Sequence, residues 1–376
     1  MKDRIPLAEP EIGEEELQNV MDAVKSGWVS SKGPFIKEFE ENFSSYIGVK
    51  NGVATSNGTS ALHLALASLK IENGDHVLVP SLTFIAPANA VTYTGAKPVF
   101  VDSHPEYWCI DPSKIEEKID DQTKAIIVVH LYGHPCDMDE IMRIAKDHGL
   151  YVIEDCAEAH GAEYKGRKIG SFGVISCFSF YGNKIITTGE GGMCLTNDEE
   201  LADKMRILRD HGMNPDKRYW HDIIGFNYRM TNLQAALGVA QLKKIDCLIT
   251  KKRRIATEYK NILKDLSDIT PMREMPWAKS VYWLYSLLVE DGFKVSRDDL
   301  MKILAENGVD SRPLFYPIHT MPPYKTAEIY PVAEALSRKG INLPSGPNLK
   351  EKEISRIVAS ICLATESSGR KDITQA

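Results

Sequence analysis

The sequence predicts an α/β fold, a mainly parallel sheet covered on both faces by helices, followed by a smaller α+β domain. Short, continuously apolar runs alternate with amphipathic stretches over the first two thirds of the chain, as strands buried on both faces do. The 376 residues exceed the roughly 100–200 typical of one domain. Beyond about residue 263 the texture changes to a strand-like run, a helix and proline-rich loops.

Strands are expected at His76–Val79, Lys97–Val101, Ala125–Val129, Tyr151–Glu154 and Val174–Phe180, where apolar stretches are too short for a helix. Helices are expected between them at Ser60–Leu69, Ser113–Ile119, Asp137–His148 and Glu199–His211. The pattern from Asn232 to Leu263 stays helical throughout and predicts one long helix bridging two domains. Tyr282–Glu290 then reads as a strand and Arg297–Asn307 as a helix. The large domain is expected over residues 1–250, with an N-terminal arm, and the small one over 251–364. The polar stretch 365–376 lacks periodicity and is expected to be a disordered tail.

With 43% hydrophobic and 26% charged residues, the composition is that of a globular protein. A net charge of −7 argues against nucleic-acid partners, which need a broad basic face. Lys251-Lys-Arg-Arg254 is basic, but on a helix it reads as a solvated face. No apolar run approaches the ~20 residues that span a bilayer, so no membrane association is expected, and the charged N-terminus lacks a signal-peptide core. Seven scattered cysteines without a Cys-x-x-Cys pair suggest buried thiols in a reducing, cytoplasmic setting.

The chemistry concentrates in residues 153–197. Asp155 directly follows a buried strand, and a second strand ends in Ser179-Phe-Tyr-Gly-Asn-Lys184, ahead of a glycine-rich turn, Gly189-Glu-Gly-Gly192. A carboxylate at a strand end serves as a helix cap, a metal ligand or a charge partner. A lysine among small and apolar residues is most simply a snorkelling side chain. Desolvated, however, its amine has a lowered pKa and attacks aldehydes. Pyridoxal phosphate (PLP) enzymes need this combination, a lysine for the aldehyde and an acid that keeps the pyridine nitrogen protonated. The phosphate then needs a cradle. Val53-Ala-Thr-Ser56-Asn-Gly58-Thr59-Ser60 is a hydroxyl-rich turn opening a helix, where free N–H groups and the helix dipole favour an anion. Plain N-capping by Ser56 or Thr59 accounts for the same residues. The chain has no G-x-G-x-x-G and no Walker loop, so nicotinamide or ATP binding lacks its usual signature.

From Ile5-Pro6 to about Ala364 the chain resembles the DegT/DnrJ/EryC1/StrS nucleotide-sugar aminotransferases, which have the fold type I, aspartate-aminotransferase-like architecture. The stretches that carry the resemblance are GWVSSKGPFIKEFE, SNGTSALHLAL, PSLTFIAPANAV, VHLYGHPCDM, IEDCAEAHG, FSFYGNKIITTGEGG and GFNYRMTNLQAA. The resemblance implies that Lys184 holds PLP as a Schiff base and shuttles the proton, while Asp155 pairs with the pyridine nitrogen. It implies phosphate contacts from Gly58, Thr59 and Ser179, and ring stacking by Phe84. Asn227 would reach the phosphate of the other subunit, which implies a homodimer with shared active sites. Glu158 stands where the family most often has glutamine, near the cofactor's 3-hydroxyl. A related dehydration of keto-sugars uses histidine at the lysine position, so Lys184 favours transamination. A narrower resemblance, of RYWHDIIGFNYRMTN, RPLFYPIHTMPPY and GINLPS, is to members that move the amine of L-glutamate to C4 of GDP-4-keto-6-deoxy-D-mannose. A UDP- or dTDP-linked keto-sugar is the alternative substrate.

Other candidates carry a bland reading beside the functional one. His130-Leu-Tyr-Gly-His134-Pro-Cys136 has metal-ligating residue types, but Gly133 and Pro135 forbid a helical pair of ligands, so a loop and no metal are expected. His160 faces cofactor or sugar, or simply packs. Tyr219 and Trp220 line a sugar-nucleotide cleft or an interface. Arg229 grips a carboxylate or diphosphate, or forms an ion pair. Tyr316 and His319 fall in the loop that resembles a substrate-contacting loop of the family.

Overall fold

The computed structural model describes residues 4–366. Its strands begin with β1 (Asn51–Thr55), β2 (His76–Pro80), β3 (Lys97–Val101), β4 (Thr123–Val129) and β5 (Tyr151–Asp155). The two-residue β6 (Glu163–Tyr164) and β7 (Arg167–Lys168) follow, then β8 (Ile175–Ser179) and β9 (Gly192–Thr196). Seven of these form one sheet in the order β1-β9-β8-β5-β4-β2-β3. From β3 to β8 the pairing is parallel throughout, and β9 alone runs against its neighbours β1 and β8. Each strand predicted for this sheet is present to within about two residues at its ends, because continuous Val/Ile runs are stable only where both faces are covered.

Helices α1 (Glu14–Lys25), α2 (Pro34–Ile47), α3 (Gly58–Ser68), α4 (Ala86–Tyr93), α5 (Met138–His148), α6 (Glu199–Arg209) and α7 (Asn232–Lys243) accompany this sheet. Of these, α3 packs on β8 and β9, and α2 lies between β1 and α7. The remaining elements are α8 (Ile245–Leu263), β10 (Ile269–Pro271), β11 (Ala278–Lys279), β12 (Tyr285–Val289), α9 (Arg297–Glu306), β13 (Arg312–Pro313), α10 (Pro331–Lys339), β14 (Gly340–Leu343) and α11 (Glu351–Glu366). A second, antiparallel sheet runs β10-β12-β14-β13, and β11 joins β6 and β7 in a third. Two hydrophobic cores result. Helix α8 passes between them, with Ile245, Leu248 and Ile249 in the first and Ile255, Ala256, Tyr259 and Leu263 in the second.

Three expectations need correction. The long helix of residues 232–263 is two helices, broken at Lys244 (φ −109°, ψ 10°). Around the break, Gln241 Nε2 donates to Glu11 O and Glu16 Oε1, and Lys244 Nζ donates to Glu11 O. These distant partners fix a corner that the local sequence does not signal. Ser113–Ile119 makes two short 3₁₀ turns instead of a helix. Asp111 Oδ1 caps Ser113 N and Asp120 Oδ1 closes the far end at Gln122 N, leaving too short a run for cooperative helix formation. Within the basic run, Lys252 is buried, and its Nζ donates to Trp283 O (3.0 Å) and Ser345 O (2.8 Å). Of the stretch expected to be a disordered tail, 365–366 complete α11 and the rest lies outside the described residues.

Glu154 in β5 holds the sheet to the loop preceding β8. Its Oε1 accepts from Phe172 N and Gly173 N, and its Oε2 from Gly170 N, each at 2.7 Å. His130 Nε2 lies 3.2 Å from the same Oε2, while His130 Nδ1 accepts from Cys136 N at 3.0 Å. The imidazole is therefore in the tautomer that donates to Glu154. His130, Glu154 and Cys156 are close enough to ligate a cation, yet both ring nitrogens and both carboxylate oxygens already have partners. Burial pushes the Glu154 carboxyl up, and the His130 and backbone hydrogen bonds more than offset it, leaving it below the usual range. Glu154→Ala would strand these buried donors. It is expected to cost about 3–5 kcal/mol in a urea titration, and a loss below ~1 kcal/mol would contradict this role.

Candidate active site

In open α/β sheets ligands bind beyond the carboxyl ends of the strands. Here a cavity of about 690 Å³ opens at that edge. Asp155 and Glu158 line it from the end of β5, Ser179 and Lys184 from the end of β8, and Gly58 and Thr59 from the start of α3. Phe84, Trp283 and Phe315 complete the part of the wall that matters below. Gly58 and Lys184, more than 120 residues apart, are thus brought together because antiparallel β9 seats β1 beside the parallel strands.

Asp155 is buried, and Oδ1 accepts from Ala157 N at 3.0 Å. Burial pushes its carboxyl above the ordinary value, and the Ala157 N–H and the Lys184 charge only partly counter this. Such a carboxylate favours a cationic partner in the cavity. For Lys184 the sign is reversed. Burial pulls its amine below the usual lysine range, partly restored by Glu158 and Asp155. A lowered amine pKa supplies the neutral nucleophile that carbonyl chemistry requires. Lys184 stands on a tight turn, with its own N–H donating to Tyr181 O at 2.9 Å. Trp283 Nε1 donates to Asn183 O at 2.8 Å, so the residue before the lysine is held as well.

At the other side of the cavity, Asn57 caps α3 by accepting from Ser60 N at 2.8 Å. Neither Ser56 nor Thr59 is the cap. The next N–H groups, of Gly58 and Thr59, have no acceptor within a helix and lie at the cavity wall. A Cβ on Gly58 would come within 2.7 Å of Ser179 Cβ, so only glycine lets the helix end seat this close to β8. Buried in the same wall, Thr83 Oγ1 and Asn183 Oδ1 have no partner among the described residues. An aldehyde-bearing, anionic, ring-nitrogen cofactor fits these residues: amine, carboxylate, helix N-terminus and spare polar atoms.

Two residues escaped sequence reasoning, Trp283 in the cavity wall and Tyr132 packed against that wall. Tyr132, at a left-handed φ of 52°, donates its N–H to Glu158 Oε2 at 2.7 Å, and its hydroxyl accepts from Phe315 N at 3.0 Å. Its ring stacks on both Phe315 and Trp283. VHLYGHPCDM contained Tyr132 and SVYWLYSLLV contained Trp283, but their partners are too remote in sequence to be inferred. Phe84 is half exposed and leans on Phe315, with ring centroids 5.9 Å apart.

Other predicted residues stand elsewhere. His160 is fully buried among Phe43, Phe178 and Phe180 and does not line the cavity, so the packing alternative describes it. His319 is also buried, with Nδ1 2.6 Å from Ser81 Oγ and Nε2 3.2 Å from Glu334 Oε1. It latches two loops together and is not on the cavity surface. Arg229 forms an ion pair with Asp210 at 2.6 Å and donates to Asn227 Oδ1. Asn227, Tyr219, Trp220 and Tyr316 are exposed and outside this chain's own cavity. Among the described residues no helix is long and apolar enough to cross a membrane.

A desolvated lysine and a strand-end carboxylate lining one cavity on this sheet are the arrangement of a fold type I PLP enzyme, and the sequence comparisons make it an aminotransferase. The chain belongs to the DegT/DnrJ/EryC1/StrS aminotransferase family, whose sequence profile matches residues 10–362. It is 48% identical over 361 residues to GDP-perosamine synthase of Caulobacter vibrioides, covering 95% of this chain and 97% of that one. To GDP-perosamine synthase of Vibrio cholerae it is 44% identical over 361 residues, with 94% and 97% covered. Among solved structures, Helicobacter pylori PseC, an aminotransferase involved in the biosynthesis of pseudoaminic acid, superposes with a TM-score of 0.92. The identity is 31%, and 97% of this chain and 100% of that chain are covered.

Burial pushes the Glu158 carboxyl up to about 7, with the Lys184 charge and the Tyr132 N–H opposing. A carboxyl raised on folding stabilises the fold below its unfolded pKa, and that stability is lost as pH rises through about 7. Glu158→Gln removes this loss. In the PLP-free protein it should therefore raise stability at pH 8 by about 1–3 kcal/mol and change it little at about pH 4, below the ordinary carboxyl value, as read by thermal melting.

Proposed function

We propose that the chain transfers the amino group of L-glutamate to C4 of GDP-4-keto-6-deoxy-D-mannose, giving GDP-perosamine and 2-oxoglutarate. The convergence of Lys184 and Asp155 on one cavity carries the reaction type. The near-half identity to GDP-perosamine synthases over almost the whole chain supports the sugar and the nucleotide. The five buried cysteines, and the absence of any disulfide among the seven, favour a cytoplasmic setting.

PLP, when bound, supplies the electron sink for a carbanion next to nitrogen. In this reading Lys184 Nζ anchors the cofactor at rest. Once released, it takes a proton from the α-carbon of glutamate and, in the return half-reaction, delivers one to C4 of the sugar. Asp155 pairs with the ring nitrogen, which restores its own carboxylate to the charged form. The Gly58 and Thr59 N–H groups and the Ser179 hydroxyl receive the phosphate at the positive end of α3. Phe84 covers the ring face, and Glu158, neutral or charged near pH 7, sets the hydrogen bonding beside it. Asn227, exposed in its own chain next to the exposed Tyr219, Trp220 and Ile224, completes the phosphate site of a second copy in a homodimer. That exposed loop and Tyr316 are then the elements placed to meet the nucleotide-sugar.

Lys184→Ala is expected to abolish turnover and the yellow absorbance of the purified protein, and near-normal activity would overturn the assignment. A panel of GDP-, UDP- and dTDP-linked keto-sugars with glutamate, read by mass spectrometry, tests the substrate. The expected outcome is amination of the GDP-linked 4-keto sugar at least tenfold faster than the others, a discrimination of ~1.4 kcal/mol.

A further inference from the structure

Lys184 has to change partners during transamination, attached to PLP at rest and free while the cofactor carries the amino group. A free ammonium in a desolvated cavity needs somewhere to go. In this structure Lys184 Nζ makes no hydrogen bond or ion pair with any described residue. It lies instead over the indole of Trp283, 3.9 Å from the ring centroid.

Trp283 is fixed at three points. Its indole Nε1 donates to Asn183 O, its backbone carbonyl accepts from Lys252 Nζ at 3.0 Å, and its ring stacks with Tyr132 at 6.2 Å and 13°. Trp283 is almost fully buried and lines the cavity. A ring anchored in this way does more than fill space, because it sets where the amine rests.

We propose that Trp283 is a positioning residue for the free lysine, its indole face serving as the platform that holds the Lys184 ammonium whenever the side chain is released from the cofactor. The inference rests on the reading of Lys184 as the PLP anchor. The negative face of the ring favours the charged amine and so opposes the burial that pulls the amine down. Asp155 and Glu158 act on the same amine from the end of β5, and His160 lies behind it within its field. Glu190, Tyr181, Tyr93 and Tyr228 face the cavity from the turn before β9, the lysine's own turn, α4 and the 226–230 segment. Trp283 also holds Asn183 O and stacks on Tyr132, which donates to Glu158 Oε2, so several changes at the ring are compared to separate its face from those contacts.

The test strips PLP from the full-length protein and follows its recapture by the yellow absorbance as a function of pH. The midpoint of that rate profile reports the free amine of Lys184, since only the neutral form attacks the aldehyde. Trp283→Leu should lower the midpoint by roughly 0.4–1.5 pH units, and Trp283→Phe, which keeps a ring but loses the N–H, by less than half as much. Fluorinated tryptophan, which weakens the ring face while preserving shape and N–H, should lower it in proportion to fluorine content, and this holds even if Trp283→Leu fails to fold. An unmoved midpoint in both Trp283→Leu and the fluorinated protein overturns the proposal. A fall in Trp283→Phe as large as in Trp283→Leu also overturns it, assigning the effect to the bond with Asn183. Wild-type protein that captures no PLP at all would instead overturn the reading of Lys184, and this inference with it.

Discussion

An amine withdrawn from water beside carboxylates that are themselves buried has no fixed place unless the backbone around it is rigid, and much of this fold answers to that need. Lys184 follows directly from β8, the strand at which the parallel run of the sheet gives way to antiparallel β9. The turn that carries it closes on itself through Lys184 N to Tyr181 O and Thr188 N to Phe180 O. Behind it, Glu154 gathers the loop before β8 with three backbone hydrogen bonds. Each of these would be an unremarkable contact alone. Together they keep the lysine, Asp155 and the start of α3 at one edge of the sheet.

The electrostatics of the cavity follow from the same arrangement. Burial shifts Lys184 down and Asp155 and Glu158 up, so each is moved toward its neutral form. A cationic ring nitrogen would favour the charged form of Asp155, and an aldehyde would consume the neutral amine that burial favours at Lys184. The buried His130–Glu154 pair nearby is already satisfied by its own hydrogen bonds.

The strands were legible because unbroken apolar runs have no other stable home, and Lys184, Asp155 and the Gly58 turn were legible because the chemistry demands those residue types at strand and helix ends. Legibility failed wherever a partner is remote. His319 looked like a substrate ligand, yet its partner Ser81 is 238 residues away and both are buried. His160 sits among phenylalanines contributed by α2 and β8. Lys244 is an ordinary helix former, and only Glu11 and Glu16 reveal the corner there. Trp283 drew no notice as an apolar residue flanking a strand, because its meaning lies in what it stands beneath.

The three-stranded sheet of β11, β6 and β7 joins parts of the chain that the sequence keeps far apart. The hairpin that follows Glu158 pairs with the strand that leads into Trp283, through Tyr164 against Ala278 and Glu163 against Lys279. Lys165 N donates to Trp277 O at 2.7 Å across the same junction. The acid on one flank of the lysine and the indole on the other therefore share a mechanical hinge pin. Any opening of the cavity that swung the C-terminal core aside would have to flex in the few residues between Lys279 and Trp283 or tear this seam. The exposed 219–224 loop and Tyr316 lie outside this seam.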